Sequence, residues 1–353
     1  MKDRCTRFLS YDVPVSPRET LLRLADYAGD AAADQSGQGE LVERLEGRIA
    51  ELLGKPAAVF MPAGKTAQNI ALKLWCARSG SNRIAIHPRS HMEEWEDKAY
   101  AEAFGLTSVA FGHHDRQVAL EDVASLREPV GAAAIELALR PLGCALIPWT
   151  ELEQISQAVR ERKIPLHTDA ARLWESQPFY DRPLAEIAGL FDSLYVSLYK
   201  SIGGLAGSAL AGPKNLIDEA RLWQHRLGQK PYRQFPYLLA ALKGLEERLP
   251  LMPAFHQKAV EIAAAFSTLE DVFVTPEPPH TNAFLVLARG DRRKQDAARD
   301  QVAEETGLWL YEYAPPAPYE GFLCFEVHIW TAALELSSDE LRDALSRFFE
   351  LVR

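Results

Sequence analysis

From Ala57 onward, apolar runs of strand length alternate with amphipathic segments of helical period, and this alternation most narrows what the chain can become. The runs occupy 57–61, 83–87, 107–111, 132–138, 164–168, 193–198 and 208–212. Strands that are apolar on both faces need cover on both, and the intervening helices supply it, so the pattern predicts an α/β fold with a mostly parallel central sheet. Two helix boundaries carry their own chemistry. Ser16-Pro17-Arg18-Glu19 is a capping box with proline at the first helical position. The segment 41–53 repeats apolar residues at helical spacing and stops at Gly54. Beyond position 249 the texture changes to helix 254–269, strands 272–275 and 283–287, helix 291–306, strands 308–313 and 322–328, and a last helix from Ser338. The expected division is a large domain, 1–249, including the N-terminal segment, and a smaller C-terminal α+β domain, 250–353, with Pro315-Pro316-Ala317-Pro318 as a rigid loop.

Several function classes drop out on charge and composition. A formal net charge of -10 disfavours nucleic acid and anionic membranes as partners. No apolar window reaches membrane-spanning length, and the charged N-terminus lacks a secretory apolar core. Cys5, Cys76, Cys144 and Cys324 lie far apart without metal-ligand spacing, so they read as reduced thiols in a cytoplasmic protein with no metal site.

The chemistry concentrates between Ile164 and Gly204. Ile164-Pro-Leu-His-Thr ends on Asp169, and Leu194-Tyr-Val-Ser-Leu-Tyr ends, 31 residues after that acid, on Lys200, with Gly203 and Gly204 following. Parallel strands deliver their carboxyl ends to one edge, where open α/β sheets bind ligands. An amine and a carboxylate at that edge suit pyridoxal 5'-phosphate (PLP), the amine forming a Schiff base and the acid pairing with the ring nitrogen. Plainer roles exist for each: Lys200 as a surface lysine, and Asp169 as an N-cap, which is compatible with facing a ring nitrogen. Arg172 is a surface arginine or a bidentate grip on a substrate carboxylate. Ala63-Gly64-Lys65-Thr66 opens a helix and so offers N–H groups to an anion. A triphosphate loop is excluded, because it needs glycine where Val59 stands. His91 is either an idle helix-terminal residue or an aromatic plate over the cofactor ring. Glu93, Glu94, Glu96 and Asp97 read as a solvated helix face, and His87, His113 and His114 as loop residues.

In combination, Leu45-Glu-Gly-Arg-Ile-Ala-Glu-Leu-Leu-Gly-Lys-Pro-Ala-Ala-Val-Phe-Met-Pro-Ala-Gly64, His167-Thr-Asp-Ala-Ala-Arg-Leu173 and Lys200-Ser-Ile-Gly-Gly-Leu-Ala-Gly-Ser208 resemble the low-specificity L-threonine aldolase and β-eliminating lyase group over nearly the whole length. The resemblance implies PLP fold type I and retro-aldol cleavage of a β-hydroxy amino acid to glycine and an aldehyde. It also implies a homodimer or homotetramer whose subunits share active sites, with Trp75 and the 41–53 helix as candidate interface elements. It implies Lys200 as the Schiff-base lysine, Asp169 at the ring nitrogen and His91 stacked on the ring. Gly64, Lys65 and Thr66 fall at the phosphate turn, and Arg233 approaches a phosphate. Arg172 would grip the substrate carboxylate with Ser10 as helper.

Departures from the family pattern bear on the substrate. A Glu-Asn-Thr-His-Asn run is replaced by Glu136-Leu-Ala-Leu-Arg140, Lys65 stands in place of a threonine, and Cys324 stands where a second arginine is usual. Carboxylate binding then falls to Arg172 alone, or to Arg140 brought in from the altered loop. Two other readings remain: β-elimination or another PLP reaction on the same scaffold, and a non-catalytic relative that keeps the fold for binding.

Overall fold

The computed structural model describes residues 1–353, the side chain of Ser338 excepted. Its strands are, in order, β1 (Arg7–Phe8), β2 (Ala57–Met61), β3 (Arg83–Ile86), β4 (Thr107–Ala110), β5 (Ala132–Glu136), β6 (Leu166–Asp169), β7 (Ser193–Ser197), β8 (Ser208–Gly212), β9 (Val272–Thr275), β10 (Ala283–Arg289), β11 (Leu308–Trp309) and β12 (Phe322–His328). The chain forms two compact units.

The larger unit comprises Thr20–Pro141 and Leu146–Pro250. Its seven-stranded sheet runs in the order β2-β8-β7-β6-β5-β3-β4, with β8 alone antiparallel to both neighbours. Every apolar run of the alternating pattern becomes a strand of this sheet, so the expected mostly parallel architecture stands. All residues of β5, β6, β7 and β8 are buried, as strands covered on both faces require. Helix Gly64–Ser79 packs Ile70, Ala71 and Leu74 against β2, β7 and β8, beside Leu216, Ile217 and Ala220 of helix Lys214–Arg226. Trp75, a candidate interface residue from sequence, is half-buried and donates its ring N–H to Ser193 Oγ of β7 at 2.8 Å.

The smaller unit comprises Met1–Glu19, Leu142–Ala145 and Leu251–Arg353. It departs from a simple cut near 250, because the first 19 residues group with the C-terminal hundred. The reason is local: β1 pairs in parallel with β11, and Phe8 packs with Cys5, Ala303 and Trp309. An antiparallel sheet β12-β10-β9 lies over helices Met252–Ser267 and Ser338–Val352 through Phe266, Phe284, Phe325 and Phe348. The Ser16 cap is present, with Glu19 N donating to Ser16 Oγ at 3.2 Å.

Candidate active site

Strand register builds the site. In the larger unit Glu136 at the end of β5 pairs with Asp169 at the end of β6, and Asp169 pairs with Tyr195 of β7. Two carboxyls and a phenol thus stand side by side across three neighbouring strands. All three are buried. Asp169 Oδ1 accepts from Ala171 N at 3.0 Å, so the residue does cap the following turn. That turn leads into helix Leu173–Tyr180 through Arg172, whose N–H donates to Leu137 O at 3.0 Å.

Lys200 follows β7 in a tight turn. Gly203 N donates to Lys200 O at 2.8 Å and Gly204 N to Leu198 O at 2.9 Å. A Cβ at Gly204 would sit 2.4 Å from Leu198 O, so only glycine allows the chain to fold back this closely. The lysine and Asp169 converge. Burial raises the Asp169 carboxyl above the ordinary carboxylate range, and the strongest opposing influence is the Lys200 charge, followed by His91. Glu136 is held well above its usual range, first by burial and then by the charge of Asp169. Both shifts share one leading cause: burial withdraws the two acids from the water that would solvate their charges.

His91 opens the short helix His91–Glu94 and is anchored at both ends. Its backbone N–H donates to Glu136 Oε1. Its ring Nδ1 lies 2.9 Å from Glu96 Oε1. Glu96 in turn accepts from Gln68 Nε2 at 2.6 Å and from Asn69 Nδ2 at 3.3 Å, both on helix Gly64–Ser79. The Glu96 side chain is 1% exposed. This corrects its assignment to a solvated face, because the helix ends after one turn and carries Glu96 inward. His87 likewise is not a free loop residue. It is buried at the end of β3, its Nδ1 accepting from Arg89 N at 3.0 Å, and burial lowers its imidazole pKa.

At the N-terminus of helix Gly64–Ser79, a Cβ on Gly64 would lie 2.7 Å from the Tyr195 ring and hydroxyl. Glycine here lets the helix end close upon β7, with backbone N–H groups of the first turn left outside the intrahelical ladder. Lys65 Nζ donates to Trp95 O at 2.9 Å, and Thr66 is half-buried on the same turn. The Arg140 guanidinium lies over the Trp95 ring at 4.7 Å, next to Leu137, Ala138 and Leu139, which are all buried. Tyr199 was absent from the sequence expectations. Its phenol is raised by burial and then by Asp169, while its hydrogen bond to Ser197 and the Arg172 charge oppose that rise.

Lys200, Asp169, His91, Gly64 and Arg172 therefore come together through strand ends and their electrostatics. Arg233 is exposed, donates to the carbonyls of Ala33 and Asp34, and lies over the Tyr232 ring. Ser10 belongs to the smaller unit, where its Oγ accepts from His328 N at 2.9 Å. Glu136 was legible as a second apolar strand ending on an acid, Ala132-Ala-Ala-Ile-Glu136, the pattern that singled out Asp169. Glu96 gave no such signal, because its neighbours Glu93, Glu94 and Asp97 mask it as one of a charged run.

The residues present fit PLP. A buried acid whose ionised form lacks solvation would be relieved by a protonated ring nitrogen, and the Lys200 amine lies close enough to act on that acid. Among the described residues no His, Cys, Asp and Glu group could hold a metal ion, and no helix is long and apolar enough to cross a membrane.

Comparison with known proteins agrees. The sequence profile of the β-eliminating lyases matches residues 24–290. Low-specificity L-threonine aldolase 1 of Arabidopsis thaliana is 26% identical over 299 residues, covering 78% of this chain and 80% of that protein. A crystal structure from Listeria monocytogenes, assigned as an L-allo-threonine aldolase, superposes with a TM-score of 0.94 at 34% identity, covering 99% of this chain and 97% of the other. A second, from Exiguobacterium and assigned as an aromatic amino acid β-eliminating lyase/threonine aldolase, gives 0.93 at 33% identity, covering 99% and 98%.

Proposed function

The chain belongs to the β-eliminating lyase family, is a PLP-dependent lyase of fold type I, and from that premise we propose that it cleaves the Cα–Cβ bond of a β-hydroxy amino acid, releasing glycine and an aldehyde. The observation that carries the site assignment is the pairing of Asp169 with its neighbours at the carboxyl edge of the sheet, within electrostatic reach of Lys200 and His91. When bound, the cofactor supplies a carbonyl that links to amines and an electron sink for the bonding pair left at Cα.

The chain's own residues do the rest. Lys200 provides the tethering amine, and its turn, closed by Gly203 and Gly204, fixes where that amine emerges. Asp169 would hold a proton on the ring nitrogen, favoured because the buried acid gains a counter-charge there. The first turn at Gly64, Lys65 and Thr66 offers N–H groups to the phosphate. Arg172 grips the substrate carboxylate, with Ser10 as helper from the resemblance and Arg140, from the loop that departs from the family pattern, as a further candidate. Arg233, which within the protomer donates to the Ala33 and Asp34 carbonyls, is assigned to a phosphate in an assembly of two or four copies. The β-hydroxyl gives up its proton as its oxygen becomes the aldehyde carbonyl, and Cα takes up a proton to leave as glycine. Four cysteines, all buried and unpaired with one another, support a reducing, cytoplasmic setting.

A second reading, β-elimination, draws on the buried, apolar Leu137-Ala138-Leu139 segment, where the family resemblance leads one to expect polar residues. Product analysis separates the two. Incubation with threonine, allo-threonine, phenylserine and β-substituted alanines should yield glycine and aldehyde from the hydroxy amino acids. Pyruvate and ammonia as the main products would replace the aldolase assignment.

A further inference from the structure

We propose that Glu96 is a positioning residue that keeps the His91 proton on Nδ1, so that the neutral imidazole presents Nε2 to the active site as an acceptor only. The argument starts from the donor count. Both carboxyl oxygens of Glu96 already accept, Oε1 from the Gln68 amide and Oε2 from the Asn69 amide, so the group is set up as an acceptor in this cluster. Its Oε1 lies 2.9 Å from His91 Nδ1, so the ring nitrogen must be the donor in that contact. A neutral imidazole carries one N–H, and placing it on Nδ1 leaves the lone pair on Nε2.

The backbone closes the other degree of freedom. Glu136 accepts from His91 N and pins the start of the short helix, while Glu96 is itself gripped by two side chains of helix Gly64–Ser79. About a third of the His91 side chain is exposed, whereas Glu96 is sealed, so the fixed edge of the ring points inward and the ring keeps an accessible remainder. Two acids thus fix His91 with distinct tasks: Glu136 sets the backbone and Glu96 sets the tautomer, while Asp169 is reserved for the ring nitrogen. An acceptor-only Nε2 can hold the β-hydroxyl of the substrate, or a water serving it, in the orientation that lets its proton depart. This last step rests on the aldol-cleavage reading, while the tautomer does not.

The experiment therefore separates them. Nitrogen-15 NMR of histidine-labelled protein above the imidazole titration range, with His91→Asn for assignment, reads the tautomer without substrate. Native protein should show Nδ1–H at His91, Glu96→Gln should retain it because its amide oxygen still accepts, and Glu96→Leu should shift it to Nε2–H. Glu96→Leu should also lower kcat for phenylserine about 10–100-fold with KM and cofactor absorbance little changed, as loss of an orienting partner does. Nε2–H in the native protein, or an unchanged tautomer in Glu96→Leu with a native circular dichroism spectrum, overturns the proposal. An Nδ1–H signal in a protein that forms no glycine from any hydroxy amino acid would leave the tautomer standing and remove the aldolase reading instead.

Discussion

The two sheets of this molecule treat polar residues differently. In the larger unit β5, β6 and β7 are buried at every position, and yet two of them end on Glu136 and Asp169. In the smaller unit β9 alternates buried Val272 and Val274 with exposed Phe273 and Thr275. A strand with one wet face has solvent reasons for a polar side chain, so such a residue carries no functional information. A strand dry on both faces has none, and an acid there costs free energy that something else must offset. The lesson applies inside the smaller unit too. On β12 Cys324, Glu326 and His328 are all buried, with His328 Nε2 2.8 Å from Glu326 Oε2, on the face opposite Leu323, Phe325 and Val327.

Lys200→Ala should break the dry edge most severely. Cofactor absorbance in the visible should disappear and lyase turnover fall by at least about a thousandfold, since the variant lacks the amine assigned to tether the cofactor. Next comes Asp169→Asn, which preserves shape but cannot balance a protonated ring nitrogen. Steady-state kinetics should show kcat lower by about 10²–10³-fold with PLP still bound. A loss below threefold would mean that the strand-end acid has no electrostatic task.

Glu136→Gln probes stability. Both carboxyls of the pair are raised, so the cofactor-free folded protein holds a proton more tightly than the unfolded chain does. Their contribution is complete below the ordinary carboxylate range, about pH 4, and is lost as pH rises into the raised range. Glu136→Gln keeps the acceptor for His91 N and removes that loss. At pH 8 the cofactor-free variant should gain about 1 kcal/mol or more, roughly 2 °C in Tm, with the gain vanishing near pH 4. Equal gains at both pH values would refute the coupling. The smallest effect belongs to the wet face: Phe273→Ser, at a site 53% exposed, should change unfolding free energy by under about 0.5 kcal/mol in urea titrations.

Apolar runs flanked by amphipathic segments made the central sheet readable strand by strand, and the acid and lysine that close two of those runs marked the candidate site. What the chain did not reveal was long-range or masked. Parallel pairing of Arg7–Phe8 with Leu308–Trp309 joins residues three hundred positions apart, and a two-residue strand has no periodicity to detect. Glu96 hid among neighbours of the same charge, and only tertiary packing distinguishes the inward carboxylate from the others. Tyr199 looked like the last apolar residue of a strand, while its hydroxyl responds to Asp169 and Arg172.

The most direct measurement is borohydride reduction of the PLP-loaded protein followed by peptide mass mapping. The account predicts a single pyridoxyl adduct on the peptide carrying Lys200. An adduct confined to Lys65, the other lysine near the site, or no adduct at all, would contradict the convergence of Lys200 and Asp169 about one cofactor.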